Sequence, residues 1–130
     1  MMNKFFQFNE FVDLGNIFMN SEVYLIALEY FNLAIDLSYL PINRVKLAEA
    51  YDLRGKTKKF LGRYVESIID FSKAIELDPK DSYLYFSRGM SYEYLKLNEE
   101  ALKNFQIAVK LDPDNFLALS IIEHLKNENN

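Results

Sequence analysis

The side chains best suited to chemistry in this sequence are a single histidine, His124, and the acidic residues of two related phrases, "LDPKD" at 77–81 and "LDPDN" at 111–115. An imidazole changes protonation near neutral pH and can serve as a general base when a second group orients it. Glu123 is next to His124 along the chain rather than across a helix face from it, so the residue reads as a solvated surface histidine. The acidic phrases offer oxygen ligands, and calcium is the metal they would suit. An EF-hand loop alternates such ligands over about twelve residues, with a central glycine and a terminal glutamate. Neither phrase does this, and both read instead as a helix stop followed by a cap. The four glycines make no GxxxxGK[ST] phosphate loop. There is no cysteine, which excludes disulfides, thiolate catalysis and cysteine-ligated metals. These residue types predict no catalytic residue, no metal and no cofactor, so the expectation is a protein that is not an enzyme.

The acidic phrases belong to a longer pattern. Gly55 and Gly89, Phe71 and Phe105, Ala74 and Ala108, and Pro79 and Pro113 are each 34 residues apart. Gly15, Ala27, Phe31 and Ala34 keep the same internal spacing but precede the middle copy by 40, so six residues are inserted within "SYLPINRVK". The copies run about 8–41, 48–81 and 82–115 with the insertion at about 42–47, all within one domain spanning 1–130.

Each copy reads as two helices. In the third, Tyr85, Arg88, Gly89 and Tyr92 recur at helical spacing, as do Ala101, Leu102, Phe105, Ala108 and Val109 after a break at Lys96 to Asn98. Gly62 makes the same break in the second copy. Pro79 and Pro113 end the second helices. Asp81 or Ser82, and Asp114 or Asn115, are then placed to cap the helices that follow. Glycine inside a helix costs about 1 kcal/mol against alanine, so Gly15, Gly55 and Gly89 predict close helix approach as compensation. The tail "FLALSIIEHLKNENN" predicts a capping helix over about 114–127. Within the insertion, Ile42, Val45 and Ala48 run in step into Tyr51, and Pro41 suits a first turn. This predicts a helix lengthened by more than a turn that projects beyond its neighbours and forms one rim.

Composition agrees with a folded soluble chain: half the residues are hydrophobic and 26% are charged. A net charge of −4 argues against nucleic acid as a partner. In "MMNKFFQFNEFVD", Glu10 and Asp13 interrupt any signal-like apolar run, and no small-residue cleavage site follows. The most apolar segment, "VYLIALEYFNLAIDL", contains Glu29 and Asp36 and is too short to span a bilayer. The expectation is a cytoplasmic protein without a membrane span.

A 34-residue helix–turn–helix unit with these columns resembles the tetratricopeptide repeat (TPR) family. The bulky column is Phe11, Tyr51 and Tyr85; the pair before the turn is Leu14–Gly15, Arg54–Gly55 and Arg88–Gly89. The next aromatic is Phe18 and Tyr92, where the middle copy departs with Lys58. Ser67 replaces an expected alanine, and Tyr39 an expected proline. The resemblance implies an all-α, right-handed superhelical solenoid of antiparallel helix pairs, with seven helices once the cap is included. It further implies a non-catalytic protein–protein interaction module, an adaptor, scaffold or chaperone-like protein, holding a protein or peptide partner in a concave groove. The groove columns transfer to Asn9, Val12, Asn16 and Met19, to Glu49, Asp52, Lys56 and Lys59, and to Tyr83, Phe86, Met90 and Glu93. That groove would be apolar at both ends with a mixed-charge middle. Chaperone-binding members grip a terminal carboxylate with basic and asparagine side chains. Of the matching positions Val12, Asn16, Leu53, Tyr83 and Ser87, only Asn16 agrees, so the likeness stops short of that clamp.

A second surface competes with the groove. Outward columns of the second helix hold Leu25, Ile26 and Leu33 in the first copy, Val65 and Ile69 in the second, and Ile107 alone in the third. Apolar character thus rises toward the N-terminus, where Phe5, Phe6 and Phe8 add to it. A large exposed apolar patch marks an interaction surface. The alternative expectation is therefore a homodimer or larger homo-oligomer joined through the first repeat, at Phe5, Phe6, Phe8, Leu25, Ile26 and Leu33.

Overall fold

The structure, a computed structural model, describes residues 3–128, which form seven α-helices and no strand among the described residues. They are α1 (Lys4–Asn20), α2 (Tyr24–Asp36), α3 (Arg44–Phe60), α4 (Tyr64–Leu77), α5 (Ser82–Tyr94), α6 (Asn98–Leu111) and α7 (Phe116–Glu128). Short connections fold each helix back on its predecessor, giving the pairs α1–α2, α3–α4 and α5–α6, with α7 against α6. The result is an all-α repeat solenoid.

One contact recurs in every pair. A Cβ built on Gly15 would lie 2.4 Å from the Phe31 ring, on Gly55 2.8 Å from Phe71, and on Gly89 2.7 Å from Phe105. These three phenylalanines are fully buried. Bare backbone on the first helix therefore receives the ring of the second, and no other residue type leaves the space.

The hairpin turns also repeat. Glu22, Gly62 and Lys96 take left-handed φ values of 62°, 76° and 61°. In each turn two amides reach back in the same way, as Val23 N–H to Phe18 O at 2.8 Å and Glu22 N–H to Met19 O at 3.0 Å. This closes the first helix with its last carbonyls satisfied. Only the middle copy places glycine there.

Between pairs the connections differ. First helices are capped by side chains: Asn3 accepts from Phe5 N–H, Asn43 from Val45 N–H, and Asp81 from Tyr83 N–H. Before α7, Asn115 accepts from Ala118 N–H at 3.0 Å. The second helices α2, α4 and α6 have no side-chain cap, because the tight turn delivers them directly. Stacked rings bridge successive pairs, Tyr24 on Phe60 at 5.0 Å and Tyr64 on Tyr94 at 4.9 Å between centroids. Ser67, in an alanine column, donates to Tyr64 O at 2.6 Å and shares a hydrogen bond with the buried Ser91 Oγ of α5 at 2.8 Å.

The insertion is absorbed only partly as expected. α3 starts at Arg44 behind its Asn43 cap, leaving Pro41 in the loop, and has 17 residues against 13 in α5. The gain of four residues is slightly more than one turn, as expected, but α1 also has 17 residues because the N-terminal aromatic arm winds into it. Consequently α3 starts in register with α1 and does not project alone. The loop before it is fastened by Lys4 Nζ donating to the Tyr39 hydroxyl at 3.0 Å.

Candidate partner-binding groove

The first helices of the pairs, α1, α3 and α5, lie side by side, and hollows open between them. Between α1 and α3 are two, of about 340 and 250 Å³, which share Phe8, Asn9 and Lys46. The larger is walled by Phe5, Phe8 and Ile42; the smaller continues to Val12 and Glu49. Between α3 and α5 a hollow of about 210 Å³ is lined by Val45, Ala48, Glu49 and Asp52, with Asp78, Asp81 and Leu84 on the far side. The 40-residue register pairs Phe5 with Val45, Phe8 with Ala48, Asn9 with Glu49 and Val12 with Asp52. The near walls of the hollows are thus successive versions of one set of columns. The larger α1–α3 hollow is mostly apolar beside Asn9, Asn43 and Lys46, and the smaller adds Asp13 and Glu49. The α3–α5 hollow carries four carboxylates.

The expected groove residues fall into three groups. Asn9, Glu49 and Tyr83 are exposed, and Asn16, Met19, Asp52, Lys56, Lys59 and Glu93 are half-buried. Val12 is only 8% exposed and belongs to the core around Phe31, so it forms the floor rather than a free wall. Phe86 and Met90 pack onto the core made by Phe105 and Leu125, and Phe86 meets the Phe105 ring at 5.6 Å. Ile121 and Ile122 of α7 join that cluster. Phe86 and Met90 are thus half-buried rather than open, Tyr83 stays exposed, and Met90 and Glu93 line a further hollow of about 360 Å³. Sequence reasoning missed Ile42, Lys46, Asp78 and Asp81 as hollow-lining residues. The register between Phe5, Phe8 and Val45, Ala48 was the available signal.

The middle of this face is electrostatically tense. Burial pushes the Asp52 carboxyl above its ordinary range; Lys56, at 3.1 Å, pulls it partly back, and Asp81 adds to the rise. Asp52 Oδ1 is buried without a hydrogen-bond partner. Burial also pushes Lys59 below the usual lysine range, helped by the like charge of Lys56 and opposed by Asp52. A charge held away from water is stabilised by an incoming opposite charge.

The odd residue Lys58 is explained in the interior. Asp70 of α4 is 1% exposed and accepts a fork from Arg54, Nε at 2.9 Å and Nη2 at 2.8 Å, while Lys58 Nζ closes on it at 3.0 Å. Arg54 also donates to Asn32 of the preceding pair at 3.1 Å. Arg88 repeats the device with Asn104 at 2.7 Å and Ser72 at 3.2 Å. In the first pair, Phe18 and Tyr30 stack at 5.6 Å in the equivalent columns. These arginines knit pairs together and are not spare groove cations.

The other expected surface is partly dismantled. Phe8 is 2% exposed, in the core, and Phe5 lines the α1–α3 hollow. The core needs a large side chain where α1 begins, and Phe8 fills it. Phe6, Leu25, Ile26 and Leu33 remain exposed. His124 lies on the surface of α7, 3.1 Å from Glu128. No helix among the described residues is long and apolar enough to cross a membrane.

Sequence profiles of the tetratricopeptide repeat match residues 48–81 and 82–115, back to back and over more than half of the chain. The chain belongs to the TPR family. Among solved structures, the TPR domain of Arabidopsis OM64 is 25% identical, with a TM-score of 0.83 over 92% of this chain and 94% of that one. The second TPR domain of human RPAP3, solved with the HSP70 peptide SGPTIEEVD, has a TM-score of 0.84 at 24% identity, covering 95% and 98%. MamA gives 0.86 at 18% identity, covering 94% and 68%. These likenesses concern the TPR fold. In sequence, 78 residues are 33% identical to a UDP-N-acetylglucosamine–peptide N-acetylglucosaminyltransferase of Giardia intestinalis. The match takes in 60% of this chain and 5% of that enzyme, so the TPR chain spans a small fraction of this relative's length.

Proposed function

We propose that this TPR chain is a single, non-catalytic protein-interaction domain, an adaptor, scaffold or chaperone-like module. It binds a peptide or helical segment of a protein partner on the face formed by α1, α3 and α5. The observation that carries the reading is the row of hollows between those helices, lined by exposed Asn9 and Glu49, with exposed Tyr83 on α5. Human RPAP3, which shares the fold, was solved with a peptide bound. A cysteine-free chain suits a reducing compartment, and the reading places it in the cytoplasm.

Capture from native lysate, followed by mass spectrometry, tests this. Phe86 and Met90 are poor test sites because they pack against the core; Tyr83→Ala with Glu49→Ala leaves the interior untouched. The double variant should keep its helical circular dichroism and lose the captured partner. Capture that is unchanged overturns the groove reading. The exposed Leu25 and Leu33 on α2 support a second reading, a homodimer joined through that face. Light scattering over a dilution series decides it, since a strict monomer at high concentration removes the homodimer.

A further inference from the structure

We infer, building on the groove reading above, that the groove selects an extended, basic segment carrying one bulky apolar side chain. The apolar side chain enters the α1–α3 hollow and a Lys or Arg enters the α3–α5 hollow. The first hollow has apolar walls in Phe5, Phe8 and Ile42, with Asn9, Asn43 and Lys46 completing its lining. The second carries four acidic residues, Glu49, Asp52, Asp78 and Asp81, and no basic residue lines it. Lys56 serves Asp52 alone; among the described residues no Lys or Arg pairs with Glu49, Asp78 or Asp81. The hollow therefore has surplus negative charge beside a carboxylate that burial has already separated from water. A guanidinium or ammonium group supplies what is missing, and a carboxylate is repelled.

Spacing follows from the repeat. The near walls of the two hollows occupy equivalent columns of α1 and α3, so the hollows are one helix-to-helix step apart, roughly 10 Å. Extended chain covers that in about three residues at ~3.3 Å each, whereas a helical ligand would need about seven. The exposed amides support the extended form. Asn9 and half-buried Asn16 make no hydrogen bond among the described residues and can donate to and accept from a peptide backbone. An extended segment has free backbone groups to offer them, and a helix does not. The peptide in the human RPAP3 structure, SGPTIEEVD, has the opposite charge.

The test uses the full chain, ¹⁵N-labelled, and capped Ser/Gly peptides. One carries phenylalanine and, about three residues on, arginine. Companions replace arginine by glutamate, replace phenylalanine by serine, or widen the spacing to about seven. The first should shift the amides of Asn9, Glu49 and Asp52 and bind at least about tenfold tighter than its glutamate partner. Exposed Glu49 has no ion pair, so Glu49→Lys should keep the fold and narrow or reverse that preference. Equal or tighter binding of the glutamate peptide at the same amides overturns the charge selection and leaves the groove reading standing. Equal binding of the wide-spaced peptide overturns the extended form, and equal binding of the serine peptide overturns the apolar anchor. If no peptide moves any groove amide, the proposed selection falls, while the groove reading is decided separately by the lysate capture of the Tyr83→Ala, Glu49→Ala variant.

Discussion

Helix pairs α1–α2 and α3–α4 share one frame and fill it with different chemistry. Both press a phenylalanine onto glycine, Phe31 on Gly15 and Phe71 on Gly55. Beside that contact the first pair stacks Phe18 on Tyr30 with the rings 8° from parallel, whereas the second buries Asp70 between Arg54 and Lys58. The glycine column cannot vary because backbone and ring leave no volume. The neighbouring column is free provided both partners change together: an aromatic pair closes it with dispersion and a carboxylate with two cations. A lone member of the ionic set has no such compensation, since an uncompensated buried charge costs far more than the intact pair contributes.

The largest effect should come from breaking that set. Asp70→Ala leaves Arg54 and Lys58 facing each other and should cost about 3–5 kcal/mol in urea unfolding. Tyr30→Ala in the first pair, where no charge is stranded, should cost less. Transplanting the first pair's solution, Arg54→Leu with Lys58→Phe and Asp70→Tyr, should recover most of the loss. If the triple variant is no more stable than Asp70→Ala, the two columns are not interchangeable and the comparison fails.

Next come the glycines. A methyl group on Gly55 must displace the Phe71 ring from 2.8 Å, and on Gly15 the Phe31 ring from 2.4 Å. Overpacking of this kind costs about 1–3 kcal/mol, and Gly15→Ala should be the worse of the two. Equal losses would mean that the ionic and aromatic columns yield alike when the ring moves.

Much of this frame was legible in the sequence, because a 34-residue period and small residues facing aromatics report geometry directly. Lys58 was visible as a departure from an aromatic column, but its partner Asp70 stands on another helix, in a column not aligned beforehand. Helical spacing shows which face a residue occupies, not which neighbour covers it. Spacing places Phe86 and Met90 on the groove face but does not show that Ile121 and Ile122 of α7 join the same cluster and leave them half-buried. The acidic hollow was harder still, since Asp78 and Asp81 come from the loop after α4 and reach the α3 surface only in three dimensions.

The turns give a smaller test. The middle copy alone has glycine at the left-handed position, with φ of 76° at Gly62 against 61° at Lys96. A side chain in that conformation costs about 1–2 kcal/mol, partly offset by glycine's looser unfolded state. Lys96→Gly should therefore gain up to about 1 kcal/mol, and Gly62→Ala should lose a similar amount, both read from urea midpoints. A loss on Lys96→Gly would show that the third turn depends on its side chain.

The smallest effect separates Val12 from Asp52, which hold the same column in the two pairs. The folded pKa of Asp52 lies above its ordinary value of 3.8, chiefly through burial. The native state therefore binds the proton more tightly than the unfolded chain. That contribution to stability is fully present below 3.8 and is lost as pH rises through the folded value, so at neutral pH the ionised carboxylate is a burden. Asp52→Asn keeps the shape and removes the titration, and Lys56, with a third of its side chain exposed, stays solvated. The variant's gain over the parent should thus grow with pH from 3.8 through the folded value and level off toward neutrality, as followed by urea unfolding at several pH values. A gain that shrinks as pH rises would mean that Lys56 more than offsets the burial of Asp52. The acidic column would then stabilise the middle pair as its apolar counterpart stabilises the first.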